Sequence, residues 1–470
     1  MINYSGTYTD LYQLTMAQVY FLKGKGDTRV VFDYFFRKLP FNGGYALYAG
    51  LGELLEVLHE LRFSERDLDY LHSQGFDSGF VQYLSDFRFR GNIYSFREGD
   101  VIFPVEPVAQ VEADIIEAQI IETIVLNILN FQSLVATKAG RIRSVAGDRI
   151  LSEFGLRRSQ GAGGYSASRA AVIGGFDSTS NVRAASDYGI APAGTMGHSF
   201  IESYDNELAA FRHFADIYPE NTILLIDTYN TLWSGLPNAI RVAKEMEARG
   251  QRLAGVRLDS GDLAWLAAEC RRKLDAENLD YVKIVVSNQL DEYLIASLIS
   301  QGAPVDLFGV GTSLVTGAPD GALDGVYKLS CSGGKPRIKL SENEKKITLP
   351  HKKQVYRMIN GSGKFCGADM IAIDNEEKRG VMYHPWIDFR NKCVEGLEQE
   401  PLLVKVMEDG VSLLPERSLK ETAAWSRERL ARLPAEYRRF ENPHIYKVGI
   451  SAGLKSEQER LIKEHKDLLL

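Results

Sequence analysis

Leu253-Ala254-Gly255-Val256-Arg257-Leu258-Asp259-Ser260-Gly261-Asp262 is the stretch on which the fold turns. A β-rich run from Leu253 to Val256 gives way to Arg257, Leu258 and an Asp-Ser-Gly-Asp loop, and a helical stretch from Leu263 to Leu274 follows. Strand, polar loop and helix in that order are the βα unit of a parallel sheet. The same rhythm runs outward in both directions. Ile150 to Phe154 leads into Gly155-Leu156-Arg157-Arg158, Val172-Ile173 into Gly174 through Asn181, and Ile190 into a small-residue turn that ends at His198. Thr222 to Ile226 leads into Asp227-Thr228-Tyr229-Asn230, Val282 to Val286 into Ser287-Asn288-Gln289, and Val305 to Phe308 into Gly309-Val310-Gly311-Thr312-Ser313. Pro237 to Arg249 and Glu292 to Ile299 have helical spacing between these runs. Right-handed βα connections carry such a series into a parallel α/β barrel or a doubly wound sheet. Six or seven strands are legible, fewer than the usual eight, so irregular closure is expected.

Before Arg149 the pattern is mixed. Leu11 to Leu22 has helical apolar spacing behind Asp10, a candidate cap; Arg29 to Phe36 reads as a strand; Glu53 to Leu61 and Glu65 to Leu71 read as helices; and Phe89 to Val111 reads as a small sheet. Glu112 to Ala139 predicts one long buried helix or two abutting ones, a spine between domains. After Thr316 come a turn at Ala318-Pro319-Asp320-Gly321, a basic stretch from Ser341 to Arg357 with Lys345, Lys346, Lys352 and Lys353 that reads as a solvated loop or hairpin, and short β runs from Ile371 to Leu413. Two helices, Ser418 to Leu433 and Ser456 to Leu470, complete the reading. The division expected is an N-terminal α+β domain with connecting helices over 1–140, a catalytic barrel over 141–330, and a C-terminal segment over 331–470 that completes the second domain and packs on the barrel.

Composition narrows the function classes. Across 470 residues, 45% are hydrophobic and 25% charged, ordinary for a globular protein. With 55 basic and 62 acidic residues the net charge is −7, so no bulk attraction to nucleic acid or to an anionic membrane is expected. The four cysteines are scattered without Cys-x-x-Cys spacing, which argues against a zinc site or a disulfide framework. Met1 to Gly6 lacks a basic stretch followed by an apolar one, and the expected location is the cytoplasm.

The loops that follow the strands collect Arg157, Ser180, Thr195, His198, Asp227, Arg257, Asp259, Ser260, Asp262, Asn288, Gly311 and Thr312. One rim of a parallel barrel would therefore hold cations, carboxylates and a glycine-rich phosphate cradle at Gly309 to Ser313. Arginine suits bidentate recognition of carboxylate or phosphate. Asp259 and Asp262 suit ribose hydroxyls or Mg²⁺, while Asp-Ser-Gly-Asp is equally a turn that caps the next helix. A lone histidine such as His198 is more often a packed loop residue than a catalyst, so its company on the rim is what singles it out. Tyr12, on the first helix, reads from sequence alone as core or interface filling.

Six segments, taken together, point to one family: Tyr8 to Ala17, Glu153 to Arg158, Gly175 to Asn181, Gly194 to Ser199, Gly255 to Asp262 and Gly309 to Thr316. In this order they resemble nicotinate phosphoribosyltransferase over nearly the whole chain. The resemblance implies an irregular, decapped parallel α/β barrel of the type II phosphoribosyltransferases, with an α+β domain built from N- and C-terminal segments. It also implies a homodimer with active sites at the interface. By the same resemblance, His198 matches a histidine phosphorylated by ATP, and Thr195 and Arg257 match nicotinate contacts. Thr312 matches a contact to 5-phosphoribosyl 1-diphosphate, and Asn288 and Gly311 are expected among the substrate-binding residues. Tyr12 matches an aromatic that stacks on the pyridine ring in a neighbouring subunit's site, with Phe154 on the opposite face. Arg157 matches a substrate anchor and Asp259 a ribose contact.

The implied reaction joins nicotinate to phosphoribosyl diphosphate, with Mg²⁺ and ATP hydrolysis, yielding nicotinate mononucleotide and pyrophosphate as the first step of NAD salvage from nicotinate. Ser180 stands where nicotinamide-using relatives carry an aspartate; a carboxylate there would repel nicotinate, so serine favours the acid. Nicotinamide as acceptor is the alternative substrate. A phosphate-binding barrel isomerase or aldolase is the alternative class, but it wants a lysine or glutamate at a strand end, and none stands clearly in these loops. A catalytically silent nucleotide-binding barrel would be expected to lack His198 or Asp259, and both are present.

Overall fold

A computed structural model of the chain describes residues 4–343, 346–377, 379–415 and 417–467. Its contacts divide it into two compact units: residues 138–321 with 418–423, and residues 1–137 with 322–417 and 424–470.

The first of these is the parallel sheet anticipated from the βα rhythm. Its strands are β1 (Ile150–Glu153), β2 (Ser178–Thr179), β3 (Ala191–Pro192), β4 (Ile223–Leu225), β5 (Gly255–Leu258), β6 (Lys283–Ser287) and β7 (Leu307–Val310). They pair in the order β3-β2-β1-β7-β6-β5-β4, every neighbour parallel. The first strand thus pairs with the last, as in a closed barrel, and the break in the ring falls between β3 and β4. Among the described residues no pairing joins those two strands. The chain between them forms the helices His198–Glu202 and Glu207–Ile217.

Two local readings change. Val172-Ile173 is the end of the helix Gly163–Ile173, not a strand; Ala167, Ala170, Ala171 and Ile173 are buried, and the β-branched pair completes that stripe. The strand comes later, at Ser178–Thr179. Gly309 and Val310 belong to β7 rather than to a phosphate-cradling turn, and the helix that follows is a single turn, Thr312–Val315. The reason for glycine at 309 is space: a Cβ there would lie 2.4 Å from the Phe154 ring.

The other unit holds a seven-stranded sheet that includes Arg29–Phe36 between Gly325–Ser332 and Ala109–Asp114, all antiparallel. A six-stranded sheet is built around Lys353–Ile359 and Phe365–Ile373. Ile115–Ile120 and Glu122–Ala146 are the two abutting helices, every residue of the first being buried. Helix Leu11–Leu22 is present, but Asp10 makes no side-chain cap; its Oδ2 accepts from Thr123 Oγ1 at 3.3 Å instead. A helix at Ser78–Ser85, capped by Asp77, was not legible in the apolar spacing. Of the basic stretch, Lys345 lies outside the described residues; Lys352 pairs with Glu112 at 2.9 Å and Lys353 is buried against Asp33 at 2.8 Å, so this part is anchored rather than solvated. Among the described residues no helix is long and apolar enough to cross a membrane.

Candidate active site at the barrel seam

The open seam between β3 and β4 is where the polar residues converge. After β3, Gly194 and Thr195 form the loop, and Gly197 in extended conformation starts the helix whose first residue is His198. His198 Nδ1 lies 3.1 Å from Thr228 Oγ1, in the loop after β4, so one imidazole bridges the two unpaired strand ends. His198 Nε2 faces Asp259 Oδ2, after β5, at 3.9 Å. A second bridge runs in parallel: Arg257 Nη1, on β5, donates to Thr195 Oγ1 at 2.5 Å. Hydrogen bonds between side chains at the seam stand where ladder bonds do not.

Asp259 is held from two sides. Its backbone N–H donates to Asp227 Oδ2 at 2.9 Å, and its Oδ1 accepts from Ser287 Oγ at 2.5 Å, the strand-end serine of β6. Asp227 Oδ2 also accepts from Ser260 Oγ at 2.6 Å, while its Oδ1 is buried with no hydrogen-bond partner. Arg257 Nε is likewise buried without a partner. Burial lowers the pKa of the Arg257 guanidinium; the nearby Asp259 and Asp227 carboxylates oppose that, and Arg157 adds to it. Arginine stays protonated under such pressure, so the site carries a cation with an unsatisfied donor and a carboxylate with an unsatisfied acceptor. Unsatisfied buried groups are costly and point to a ligand that completes them.

The other predicted residues fall on the same side of the strands. Phe154 follows β1, its ring against Gly309. Arg157 is exposed in the single turn Leu156–Arg158 and lies close enough to Arg257 to act on its charge. Ser180 follows β2, its N–H donating to Glu153 O at 2.8 Å. Asp177, three residues earlier, stands before the strand and is taken by Arg143 Nη2 at 2.5 Å and Leu151 N at 2.8 Å, so Ser180 is the rim residue. Asn288 is exposed after β6 with φ +82°, followed by Gln289 at +49°. Two successive non-glycine residues in left-handed conformation are a strain of the kind found at functional sites. Gly311 precedes the single turn opened by exposed Thr312.

Asp262 is engaged elsewhere: its Oδ1 accepts from Trp265 N at 3.1 Å and caps helix Leu263–Ala276. Among the described residues no group of three or more His, Cys, Asp or Glu is arranged to hold a metal. Tyr12 belongs to the other unit, half-exposed on its helix with Leu11, Val19 and Leu22, and its hydroxyl donates to Glu122 Oε1 at 3.4 Å. Sequence reasoning missed Thr228 and Ser287 as members of the site. Their signal was only positional, a hydroxyl residue at or just past a strand end.

Three family models match the chain: the nicotinate phosphoribosyltransferase N-terminal domain over residues 7–130, the nicotinate phosphoribosyltransferase family over 150–359, and the C-terminal domain over 352–458. The chain is 41% identical to a nicotinate phosphoribosyltransferase of Bacillus subtilis, covering 98% of this chain and 95% of that one. It is 40% identical to one of Mycobacterium tuberculosis over 97% and 93%. Among solved structures, human nicotinic acid phosphoribosyltransferase superposes with a TM-score of 0.86 at 33% identity, covering 96% of this chain and 99% of that one.

Proposed function

The chain belongs to the nicotinate phosphoribosyltransferase family, and on that premise we propose how this site performs the transfer of a phosphoribosyl group to nicotinate. The nicotinate carboxylate is the partner that Arg257 lacks at Nε, with Thr195 already held beside that guanidinium at 2.5 Å. Phe154 gives the pyridine ring an aromatic face, and Ser180 leaves the rim uncharged where an acidic acceptor enters. The ring nitrogen attacks the anomeric carbon of phosphoribosyl diphosphate, and the carbon–oxygen bond to pyrophosphate breaks. Nicotinate mononucleotide and pyrophosphate leave. The sugar is oxocarbenium-like as bonding changes, so alignment and nearby carboxylate charge govern the rate more than a strong base does. Asp259 is the carboxylate placed for the ribose.

Mg²⁺ is commonly held by one or two carboxylates together with substrate phosphates. The buried, unpartnered Asp227 Oδ1 and the adjacent Asp259 fit that requirement, whereas Asp262 is occupied as a cap. When bound, the ion neutralises charge on the departing pyrophosphate.

ATP coupling runs through His198. Its Nδ1 lies 3.1 Å from the Thr228 hydroxyl and its Nε2 3.9 Å from Asp259, and in the neutral imidazole one ring nitrogen keeps a lone pair. That lone pair attacks the γ-phosphorus of ATP, ADP departs, and water later takes the phosphoryl group as inorganic phosphate. The enzyme acts in the cytoplasm as a homodimer, in the salvage of nicotinate to NAD.

The observation that carries this reading is the seam itself, where His198, Thr195, Arg257, Asp259 and Asp227 meet from three strands. Pyrophosphate release from phosphoribosyl diphosphate and Mg²⁺, with nicotinate or nicotinamide as acceptor and with or without ATP, tests it. Release with nicotinate that ATP enhances, and that His198→Ala no longer enhances, is expected. Release with nicotinamide alone would overturn the acceptor assignment, and equal ATP response in His198→Ala would overturn the phosphohistidine.

A further inference from the structure

Glu153, the last residue of β1, has none of its surface exposed. It precedes the Phe154–Arg157 loop directly. Its carboxylate collects donors from the loop after β1, from the end of strand β2 and from a helix. Oε1 accepts from the Gly155 N–H, inside the Phe154 loop. Oε2 accepts from Thr179 Oγ1 at 2.6 Å, at the end of β2, and from Ser168 Oγ at 2.9 Å, on helix Gly163–Ile173. The Glu153 carbonyl accepts from Ser180 N at 2.8 Å. The network continues through Asn181, whose N–H donates to Thr179 Oγ1 at 3.0 Å and whose Oδ1 caps the helix beginning at Val182 by accepting from Ala184 N.

Both loops that this carboxylate joins face the acceptor. One carries Phe154 and Arg157, the other Ser180. Phe154 has little freedom beyond that, since its ring occupies the space left at Gly309 and Gly155 is pressed against Val315. The backbone pairing of Glu153 with Thr179 sets the strand separation, and the bonds that hold Gly155 and Thr179 to a single side chain fix how the Phe154 loop is seated against Ser180 beyond it.

We propose that Glu153 is the positioning residue of the pyridine side of the site, tying the Phe154–Arg157 loop to the Thr179–Asn181 loop and so setting the fit of the nicotinate ring. The inference rests on the transferase reading above. It assigns Glu153 no contact with substrate. Phosphoribosyl diphosphate is read at Asp259 and Thr312, after other strands, so the tie bears on nicotinate directly and on the diphosphate only through the packing of Gly155 on Gly311 and Val315.

Because a buried Glu153 variant risks unfolding, the primary test loosens the tie from its far end. Thr179→Val keeps the shape of the side chain and removes both the bond it donates to Glu153 and the one it accepts from Asn181 N; Thr179→Ser restores the hydroxyl and both bonds. Steady-state pyrophosphate release is measured for both, with Glu153→Gln as the companion variant. Thr179→Val is expected to raise KM for nicotinate about tenfold, with KM for phosphoribosyl diphosphate changed less than about twofold, and Thr179→Ser to return to within about twofold of the parent. Equal changes in both KM values, no change in either, or failure of serine to rescue would each overturn the positioning role. If the unaltered enzyme releases no pyrophosphate with nicotinate, the transferase reading itself fails. Turnover in the parent with an unmoved nicotinate KM in Thr179→Val sinks only the role of Glu153.

Discussion

Arg257 shows how much one residue carries in this site. Its guanidinium is pinned by one charge-assisted bond to Thr195 and left with an unpartnered Nε. Hydrogen bonds to charged groups are worth about 1.5–3 kcal/mol, so Arg257→Ala should raise KM for nicotinate by roughly ten- to a hundredfold, measured by pyrophosphate release. Arg257→Lys should recover little, since a lysine ammonium lacks the planar fork that meets a carboxylate and a threonine together. A residue of this kind was legible because it lies in a strand–loop segment whose chemistry is contiguous in sequence. Thr228 and Ser287 were not legible, because their partners lie 30 and 28 residues away and are chosen by strand order.

At the scale of the element, β7 and the helix Ile115–Ile120 each depend on a position where burial sets strict terms. Gly309 on β7 faces the Phe154 ring, and an alanine there would place a carbon 2.4 Å from it. Gly309→Ala should displace the ring, lowering kcat/KM for nicotinate at least about tenfold, at a stability cost of about 1–3 kcal/mol. A melting curve and a kinetic assay on the same preparation would check both. Glu117 lies in the first turn of the helix Ile115–Ile120, buried, with Oε2 accepting from Arg90 N at 2.8 Å. Burial pushes its carboxyl up to about 7, partly opposed by that hydrogen bond. The folded state therefore holds a proton that the unfolded chain releases near pH 4.5. The stability this contributes is fully present below about pH 4.5 and is lost as pH rises toward 7. Glu117→Gln keeps the acceptor and removes the titration, so its melting temperature should gain on the parent's as pH goes from 5 to 8, by an equivalent of about 3 kcal/mol at most. A constant offset across that range would contradict the assignment.

At the scale of the whole molecule, Tyr12 and His198 lie in different compact units, and the proposed homodimer predicts that each active site draws on both through two chains. Tyr12→Ala and His198→Ala subunits, each lacking ATP-stimulated activity alone, should recover about a quarter of it when unfolded and refolded together, since half of the random dimers would hold one intact site. No recovery, with mixed dimers verified by mass, would count against the cross-subunit role of Tyr12.

What the sequence determined by itself is what neighbours along the chain encode. Alternation of β-rich runs with helical spacing predicted the parallel sheet, and seven strand-end loops, from Gly155-Leu156-Arg157-Arg158 to Gly309-Val310-Gly311-Thr312, placed the polar residues on one rim. These follow from local periodicity and turn chemistry, which a short window contains. Tertiary structure alone decided where the sheet stays open, between the third and fourth strands, and hence that His198 spans a seam to reach Thr228. It alone made Gly309 a seat for Phe154 and Glu153 a buried tie. Each of these depends on register and sheet order, which bring together side chains far apart in the chain and which no local pattern specifies.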